Sequence, residues 1–123
     1  MPDAPKPVRL QLSRRKGFDL QAHSKAINGL EAINCSRPGP YGNRFVVSPR
    51  HSGNVNVFYI AVPSADDAVE CFDLVFEQED AGPGSWGYEL RAALPKLRGK
   101  NLACWCAVSE PCHCNVLLRR ANG

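Results

Sequence analysis

The sequence predicts a small α/β domain in which a layered sheet packs against about three helices. Three observations predict this class: short apolar or alternating segments with strand composition, a helical repeat of apolar residues in mid-chain, and a strand-loop-helix pattern near the last residues. A chain of 123 residues can bury one hydrophobic core. We therefore expect a single domain over 1–123, with 1–7 as a flexible tail.

The first half of the chain predicts mainly strands. Val8–Leu12 and Val55–Val62 are rich in β-branched, aromatic and alternating apolar residues, and "EAINCS" and "RFVV" are shorter candidates. The first clear helix is "SADDAVECFDLVFEQE", where Ser64 can cap the amino end and Asp67 follows three residues later. Apolar residues recur along this segment at helical spacing, which predicts one face packed on the core.

The second half predicts two helices on either side of a buried strand. "YELRAALPKLRG" offers one apolar helical face, which we expect Pro95 to cut short and Gly99 to end. "NLACWCAV" has the length and composition of a buried strand. "EPCHCNVLLRRAN" follows as a helix with Pro111 in its first turn, so the sequence predicts a strand-loop-helix unit here.

Charge is unevenly distributed along the chain, although the formal net charge is only +3. Basic residues dominate up to Arg50, whereas every charged residue from Asp66 to Glu89 is acidic. A basic surface of this kind is compatible with phosphate-bearing ligands or nucleic acid. No run approaches the roughly 18 apolar residues of a membrane-spanning helix, and the first residues lack a secretory pattern, so we expect a cytoplasmic protein.

Four of the six cysteines and one of the three histidines lie between Asn101 and Gly123. In a reducing cytoplasm such clusters are more often metal ligands, reactive thiols or buried apolar groups than disulfides. A thiolate of Cys112 at the mouth of the last helix would be a nucleophile, with His113 beside it as a proton partner. Zinc is the direct alternative, held by Cys104, Cys106, Cys112 and either His113 or Cys114. A purely structural role for these side chains is the third possibility.

The loop "NCSRPGPYGNRF" adds a second set of candidates. Arg37 can bind a carboxylate or phosphate through two parallel hydrogen bonds, Asn43 can recognise an amide or base edge, and Gly42 lets a ligand approach the backbone. An ordinary solvated turn is the alternative. A separate basic edge, "SRRKGF", could contact nucleic acid, with phosphates on Arg14, Arg15 and Lys16 and a base stacked on Phe18.

The segments "RPGPYGNRF" and "LRGKNLACWCAVSEPCHCNVLLRRAN" resemble the motifs of the bacterial and phage family catalogued as domain of unknown function 4326. That family shows R-P-x-x-W-G-N-P-F and L-R-G-K-x-L-x-C-W-C-x-P-x-x-C-H-G-D-x-L in the same order. Here Tyr41 stands for its tryptophan, Arg44 for its second proline and Cys114–Asn115 for its Gly–Asp. The ending also has a short likeness to domain of unknown function family 488.

The resemblance implies that the two motifs form one pocket of Arg37, Asn43, Cys104, Cys106, Cys112 and His113. It also implies that Cys114 is not an essential ligand, and that Asn115 cannot act as a base if the family aspartate does. Two functions remain open. One is a domain that binds or acts on a phosphorylated ligand, such as a nucleotide, a modified base or nucleic acid. The other is a zinc-stabilised, non-enzymatic module that binds nucleic acid or a host protein.

Overall fold

The structure is a computed structural model that describes residues 5–37, 39–48, 53–54, 59–77, 82–107 and 109–123. Four helices lie in these ranges: α1 (Leu20–Asn28), α2 (Ala65–Val75), α3 (Trp86–Leu97) and α4 (His113–Asn122). The strands in the same ranges are β1 (Arg9–Gln11), β2 (Ala32–Asn34), β3 (Phe45–Val47), β4 (Gly53–Asn54), β5 (Ile60–Val62) and β6 (Asn101–Cys104). The predicted α/β class is confirmed. The first half of the predicted strand Val55–Val62 and the start of the predicted tail lie outside the described residues, and the end of that strand is β5.

The strands form two small sheets. In the first, β6 lies between β1 and β2 and pairs with both in parallel, with Leu10 opposite Ala103 and Ile33 opposite Leu102. In the second, β5 pairs in parallel with β3 and antiparallel with β4. All four residues of β6 are buried, as expected for the central strand of a parallel sheet. The carboxyl ends of β1, β6 and β2 therefore meet at one edge.

The main core lies between β6 and helices α2, α3 and α4. It contains Phe72 of α2, Leu97 of α3, Leu102 of β6 and Leu117 of α4, all fully buried. Ser64 caps α2 as predicted, because its hydroxyl oxygen accepts a hydrogen bond from the backbone N–H of Asp67 at 3.1 Å. No helix among the described residues is long and apolar enough to cross a membrane.

Helix α1 was not predicted from the sequence. Its one buried residue is the polar Ser24, so no buried apolar side chain marks the segment as a helix that packs on the core. Polar groups fix it instead. The carboxylate of Asp19 accepts from the N–H groups of Gln21 and Ala22 at the amino end, and Ser24 Oγ accepts a hydrogen bond from the wholly buried side chain of Asn101 at 2.7 Å.

Three other boundaries differ from the prediction. Helix α3 continues past Pro95 to Leu97, because the Leu97 side chain is fully buried in the core and its packing holds the last turn. Strand β6 ends at Cys104, so Trp105 and Cys106, which the sequence predicted to lie within the strand, lie in the bend after it. Pro111 precedes α4 and Cys112 is its N-cap residue, one position before the helix.

Candidate functional site

The site lies where β6 and β2 end. Cys104 is the last residue of β6, and Cys35 follows β2, with its N–H donating to the carbonyl of Ala103 at 2.7 Å. Both side chains are buried, at 1% and 0% exposure. Because the strands run in parallel, the chain leaves them on the same side, which is the usual position of a ligand crevice in α/β proteins.

The loop from β6 to α4 is fastened from β1. The guanidinium of Arg9 donates one hydrogen bond to the carbonyl of Ala107 at 2.9 Å and another to the carbonyl of Glu110 at 2.8 Å. These bonds satisfy carbonyls of an irregular loop and fix its course. The loop thereby returns Cys112 to the end of β6.

Three thiols meet at this point. The sulfur atoms of Cys104 and Cys112 are 2.7 Å apart, and those two and the sulfur of Cys114 all lie within 4.8 Å of one another. All three side chains are buried. This arrangement can hold a metal ion, since buried thiolates on a rigid strand and helix are suitable ligands for zinc. The resemblance had set Cys114 aside, but its sulfur belongs to the group.

Two further cysteines adjoin the three. The half-buried Cys106 packs against the buried core that contains Cys104 and Cys112, and it lines the same cleft. Cys35 is fully buried in that core, and its thiol donates to the carbonyl of Ile33 at 3.7 Å. Cys35 was missed in the sequence because it lies far from the other cysteines along the chain, and only the pairing of β2 with β6 brings it close. We call Cys35, Cys104, Cys106, Cys112 and Cys114 the cysteine cluster.

His113 is held between the cluster and the backbone. Its Nε2 is 2.7 Å from the carbonyl oxygen of Cys35, and its Nδ1 is 3.7 Å from the sulfur of Cys112. A carbonyl oxygen only accepts, so Nε2 carries a hydrogen and Nδ1 of the neutral ring presents a lone pair to Cys112. The ring also packs edge-on against Phe72, with centroids 5.2 Å apart. This is the orientation of a histidine prepared to bind a metal or exchange a proton through Nδ1.

Four thiols of the cluster have pKa values that are shifted in different directions. Hydrogen bonds from Cys104 and then from Cys106 and Cys114 hold the pKa of Cys112 well below that of an ordinary thiol. A hydrogen bond from Cys106 lowers the pKa of Cys104 to about 7. The pKa values of Cys106 and Cys114 are raised, first by their hydrogen bonds to Cys104. Burial opposes protonation of His113, but the hydrogen bond and charge of Cys112 prevail and raise the pKa of the imidazole.

A cleft of about 200 Å³ opens over the cluster. Six of the predicted site residues line it: Arg37, Asn43, Cys104, Cys106, Cys112 and His113. Arg37 is exposed at this cleft, and none of the ion pairs found in the described parts of the chain involves it. On the opposite side the small side chains of Ala65 and Ala68 in α2 leave the space open.

Two loop residues near the cleft make contacts that differ from those expected. The Asn43 side chain donates to the carbonyl of Ala68 at 3.0 Å and accepts from the N–H of Phe45 at 2.9 Å, so it fastens the loop to α2. Gly42 does not line the cleft. A Cβ there would lie 2.9 Å from Cα of Arg37, so the glycine makes room for the Arg37 backbone, where the sequence had suggested a ligand.

The predicted basic edge lies partly apart from this cleft. Arg15, Lys16 and Phe18 line a second cleft of about 570 Å³ together with His23. Phe18 is half-buried, with its ring centroid 5.4 Å from that of His23. Arg14 instead lies over the ring of Trp105, at 4.8 Å from the centroid, on the border of the first cleft. Asn115 is exposed in the first turn of α4.

Comparison with known proteins gives one match. The family model described as domain of unknown function (DUF4326) matches residues 19–123. The matched region includes α1, both motif segments and the whole cysteine cluster. No curated protein and no solved structure matches the chain.

Proposed function

The chain belongs to the family described as domain of unknown function (DUF4326), and we propose that it binds a phosphorylated small molecule of the nucleotide class in a cleft built over a metal-holding cysteine cluster. One observation carries the proposal. A single cleft brings together three residues of the cysteine cluster (Cys104, Cys106 and Cys112), the amino end of α4 and the exposed side chain of Arg37.

The metal part of the proposal follows from the donor set. Zinc prefers four nitrogen or sulfur ligands in a tetrahedron. Cys104, Cys112 and Cys114 supply three sulfurs within 4.8 Å of one another. The fourth comes from Cys106, which lines the cleft, or from Nδ1 of His113, which lies at 3.7 Å from the Cys112 sulfur. Zinc–ligand bonds of about 2.0 to 2.3 Å place two ligand atoms about 3.3 to 3.8 Å apart, which matches the distance from His113 Nδ1 to the Cys112 sulfur. The sulfurs of Cys104 and Cys112, at 2.7 Å, must move apart by about 1 Å when both bind the ion.

The anion part follows from the charges at the cleft. Helix α4 has no acidic residue in its first turn, and no side chain caps it through a hydrogen bond. Its amino end therefore presents partial positive charge to the cleft, where Cys112 and His113 lie. Arg37 adds a full charge and a planar pair of donors suited to a phosphate. These groups together support a phosphate-bearing ligand over a neutral one.

The proposal is tested by metal analysis and ligand titration on the same untagged preparation. We expect about one zinc ion per chain, and a thermal melt that falls when a strong chelator removes it. Calorimetric titration should then show that AMP binds the zinc-loaded protein, that Arg37→Ala weakens this binding about tenfold or more, and that Arg15→Ala changes it little. A metal-free protein with an unchanged melt would refute the metal part, and no binding of any nucleotide would refute the anion part.

A second candidate is a thiol enzyme. Cys112 occupies the N-cap of α4 and has the imidazole Nδ1 of His113 at 3.7 Å, the geometry of a nucleophile with a proton partner. Against it, Cys112 is 1% exposed, so a substrate reaches the sulfur only through the cleft. Iodoacetamide separates the two candidates. A metal-bound Cys112 resists alkylation until the ion is removed, whereas a free nucleophile reacts in the protein as isolated.

A third candidate, nucleic-acid binding along the "SRRKGF" edge, is favoured by the cleft that Arg15 and Lys16 share with Phe18. Its stacking contact is weakened because Phe18 is half-buried against His23. Such binding would lose affinity steeply with added salt, whereas a small ligand in the first cleft would show a milder dependence. Fluorescence anisotropy of a labelled oligonucleotide at increasing salt distinguishes them.

A further inference from the structure

Trp105 is an exposed aromatic side chain in the wall of the first cleft. It follows Cys104 directly, where β6 ends, and 46% of its surface is exposed. The other tryptophan, Trp86, packs instead on the rings of Phe45 and Phe72. A large indole left partly in water beside a cleft is available to a ligand, because its face can still bury apolar area.

The ring is held in place from two sides. The guanidinium of Arg14 lies 4.8 Å from the ring centroid, and such a cation–π contact restrains the indole. The loop that carries Trp105 is also fixed, because the guanidinium of Arg9 donates to the carbonyls of Ala107 and Glu110. A ligand that stacks on this indole does not have to order it first, which lowers the entropic cost of binding.

The cleft thus combines an aromatic surface, from Trp105, with a cation, from Arg37. A planar ring joined to a phosphate complements both. We infer that Trp105 is the stacking platform for the base of a mononucleotide whose phosphate lies against Arg37. This inference rests on the proposed function and assigns a binding position to the base of the ligand. Every nucleobase has a π-face that can stack on an indole, so Trp105 favours ligands that carry a base. It does not distinguish one base from another.

The size of the cleft agrees with a partly enclosed mononucleotide. Its volume of about 200 Å³ is smaller than the roughly 300 Å³ at which pockets enclose drug-sized ligands. The phosphate can therefore enter near Arg37 while the base remains against the exposed indole at the border. A nucleic-acid strand would need further phosphate contacts along the surface beyond this cleft.

The test compares AMP, GMP, CMP and UMP with ribose 5-phosphate, which has the phosphate and no base. Titration calorimetry is run on the unchanged chain and on Trp105→Ala, Trp105→Tyr and Tyr88→Ala. Tyr88 is also exposed, at 40%, but lies on α3 and does not line the cleft, so its variant is the matched control. Circular dichroism confirms that each variant is folded.

We expect Trp105→Ala to weaken nucleotide binding about tenfold or more, since stacking of one base on an aromatic ring carries that much affinity. Trp105→Tyr should retain most of the affinity, and Tyr88→Ala all of it. Ribose 5-phosphate should bind more weakly and be insensitive to Trp105→Ala. In the Trp86→Phe variant, where Trp105 is the only tryptophan, a bound nucleotide should quench the fluorescence.

Three results would overturn the inference. Equal affinities for ribose 5-phosphate and the nucleotides, unaffected by Trp105→Ala, would remove the stacking platform and leave the phosphate site of the proposed function standing. No binding of any of the five compounds would overturn both. Tight binding of an oligonucleotide with a steep salt dependence, where mononucleotides bind weakly, would replace the mononucleotide with a nucleic-acid strand.

Discussion

The sulfur atoms of Cys104 and Cys112 lie 2.7 Å apart, although one residue ends a strand and the other caps a helix. A disulfide bond is about 2.05 Å long, so these sulfurs are close to bonding distance. Oxidation of two cysteines and binding of a metal by them are mutually exclusive, because a disulfide sulfur is no longer a thiolate ligand. Whether this pair is reduced or oxidised therefore determines whether its sulfurs can bind a metal ion.

The first prediction concerns the metal ligands. Cys112→Ser and Cys114→Ser should each weaken zinc binding by at least tenfold, since changes to groups that merely orient ligands cost about 10 to 100-fold. Cys71→Ser is the control, because Cys71 lies on α2 and is not among the three clustered thiols. Zinc is measured by elemental analysis after dialysis against a competing chelator. Full zinc retention by Cys114→Ser would favour the set Cys104, Cys106, Cys112 and His113.

The second prediction concerns oxidation of the zinc-free protein. Hydrogen peroxide should join Cys104 to Cys112: the two thiols lose two hydrogens, one peroxide becomes two waters, and the mass falls by about 2 Da. Peptide mapping by mass spectrometry locates the bond, and dithiothreitol should reverse it. Zinc-loaded protein should be protected. Cys112→Ser should lose the bond and Cys71→Ser should keep it, and a bond between other cysteines would contradict the prediction.

The third prediction concerns the loop that carries Arg37. In Gly42→Ala the added Cβ would meet Cα of Arg37 at 2.9 Å, so the loop must shift. We expect a loss of stability of about 1 to 3 kcal/mol, as for other overpacked positions, together with weaker binding of AMP. Gly82→Ala is the matched control, since nothing lies within 4 Å of a Cβ there. Urea denaturation and calorimetry measure the two effects, and an unchanged Gly42→Ala protein would show that the loop adapts.

The fourth prediction concerns the contact between α2 and α4. Asp73 accepts from Arg120 Nε at 2.7 Å and pairs with Arg119 at 2.6 Å. Partial burial raises the pKa of the Asp73 carboxyl, but the two guanidinium groups lower it by more, so the pKa lies below its ordinary value. A carboxyl with a lowered folded-state pKa stabilises the fold above its unfolded pKa of about 3.9, and this contribution is lost as the pH falls through the folded value.

Asp73→Asn should therefore cost about 1 kcal/mol of unfolding free energy at pH 7 and much less near pH 3. Urea denaturation at the two pH values measures the difference. Glu77→Gln is the control. Its carboxylate is 3.4 Å from the Arg120 guanidinium and is mostly exposed, so its effect should be smaller. A cost for Asp73→Asn that does not change with pH would show that packing, and not charge, is lost.

The sequence was sufficient to predict the elements and contacts that depend on local patterns. The apolar repeat and Ser64 cap predicted α2, and the strand-loop-helix pattern placed Cys104 and Cys112 near each other. It was insufficient where contacts join distant segments. Helix α1 is fixed by polar bonds from Asn101, which carry no apolar period, and Cys35 reaches the cluster only through the pairing of β2 with β6. The family resemblance implied that Cys114 is not an essential ligand, whereas the structure places its sulfur beside those of Cys104 and Cys112, and the zinc measurement on Cys114→Ser decides between the two.

The central position of β6 in its sheet affects how the protein is made in the cell. Arg9 in β1 pairs with Leu102, and Ile33 in β2 pairs with the same residue. During synthesis β1 and β2 are made long before β6, which must lie between them, so this sheet and the cysteine cluster cannot assemble until β6 has been made. The unfinished chain exposes β1 and β2 without their partner. If the proposed metal ion is bound by Cys104 and Cys112, it can be captured only after both β6 and the start of α4 have been made.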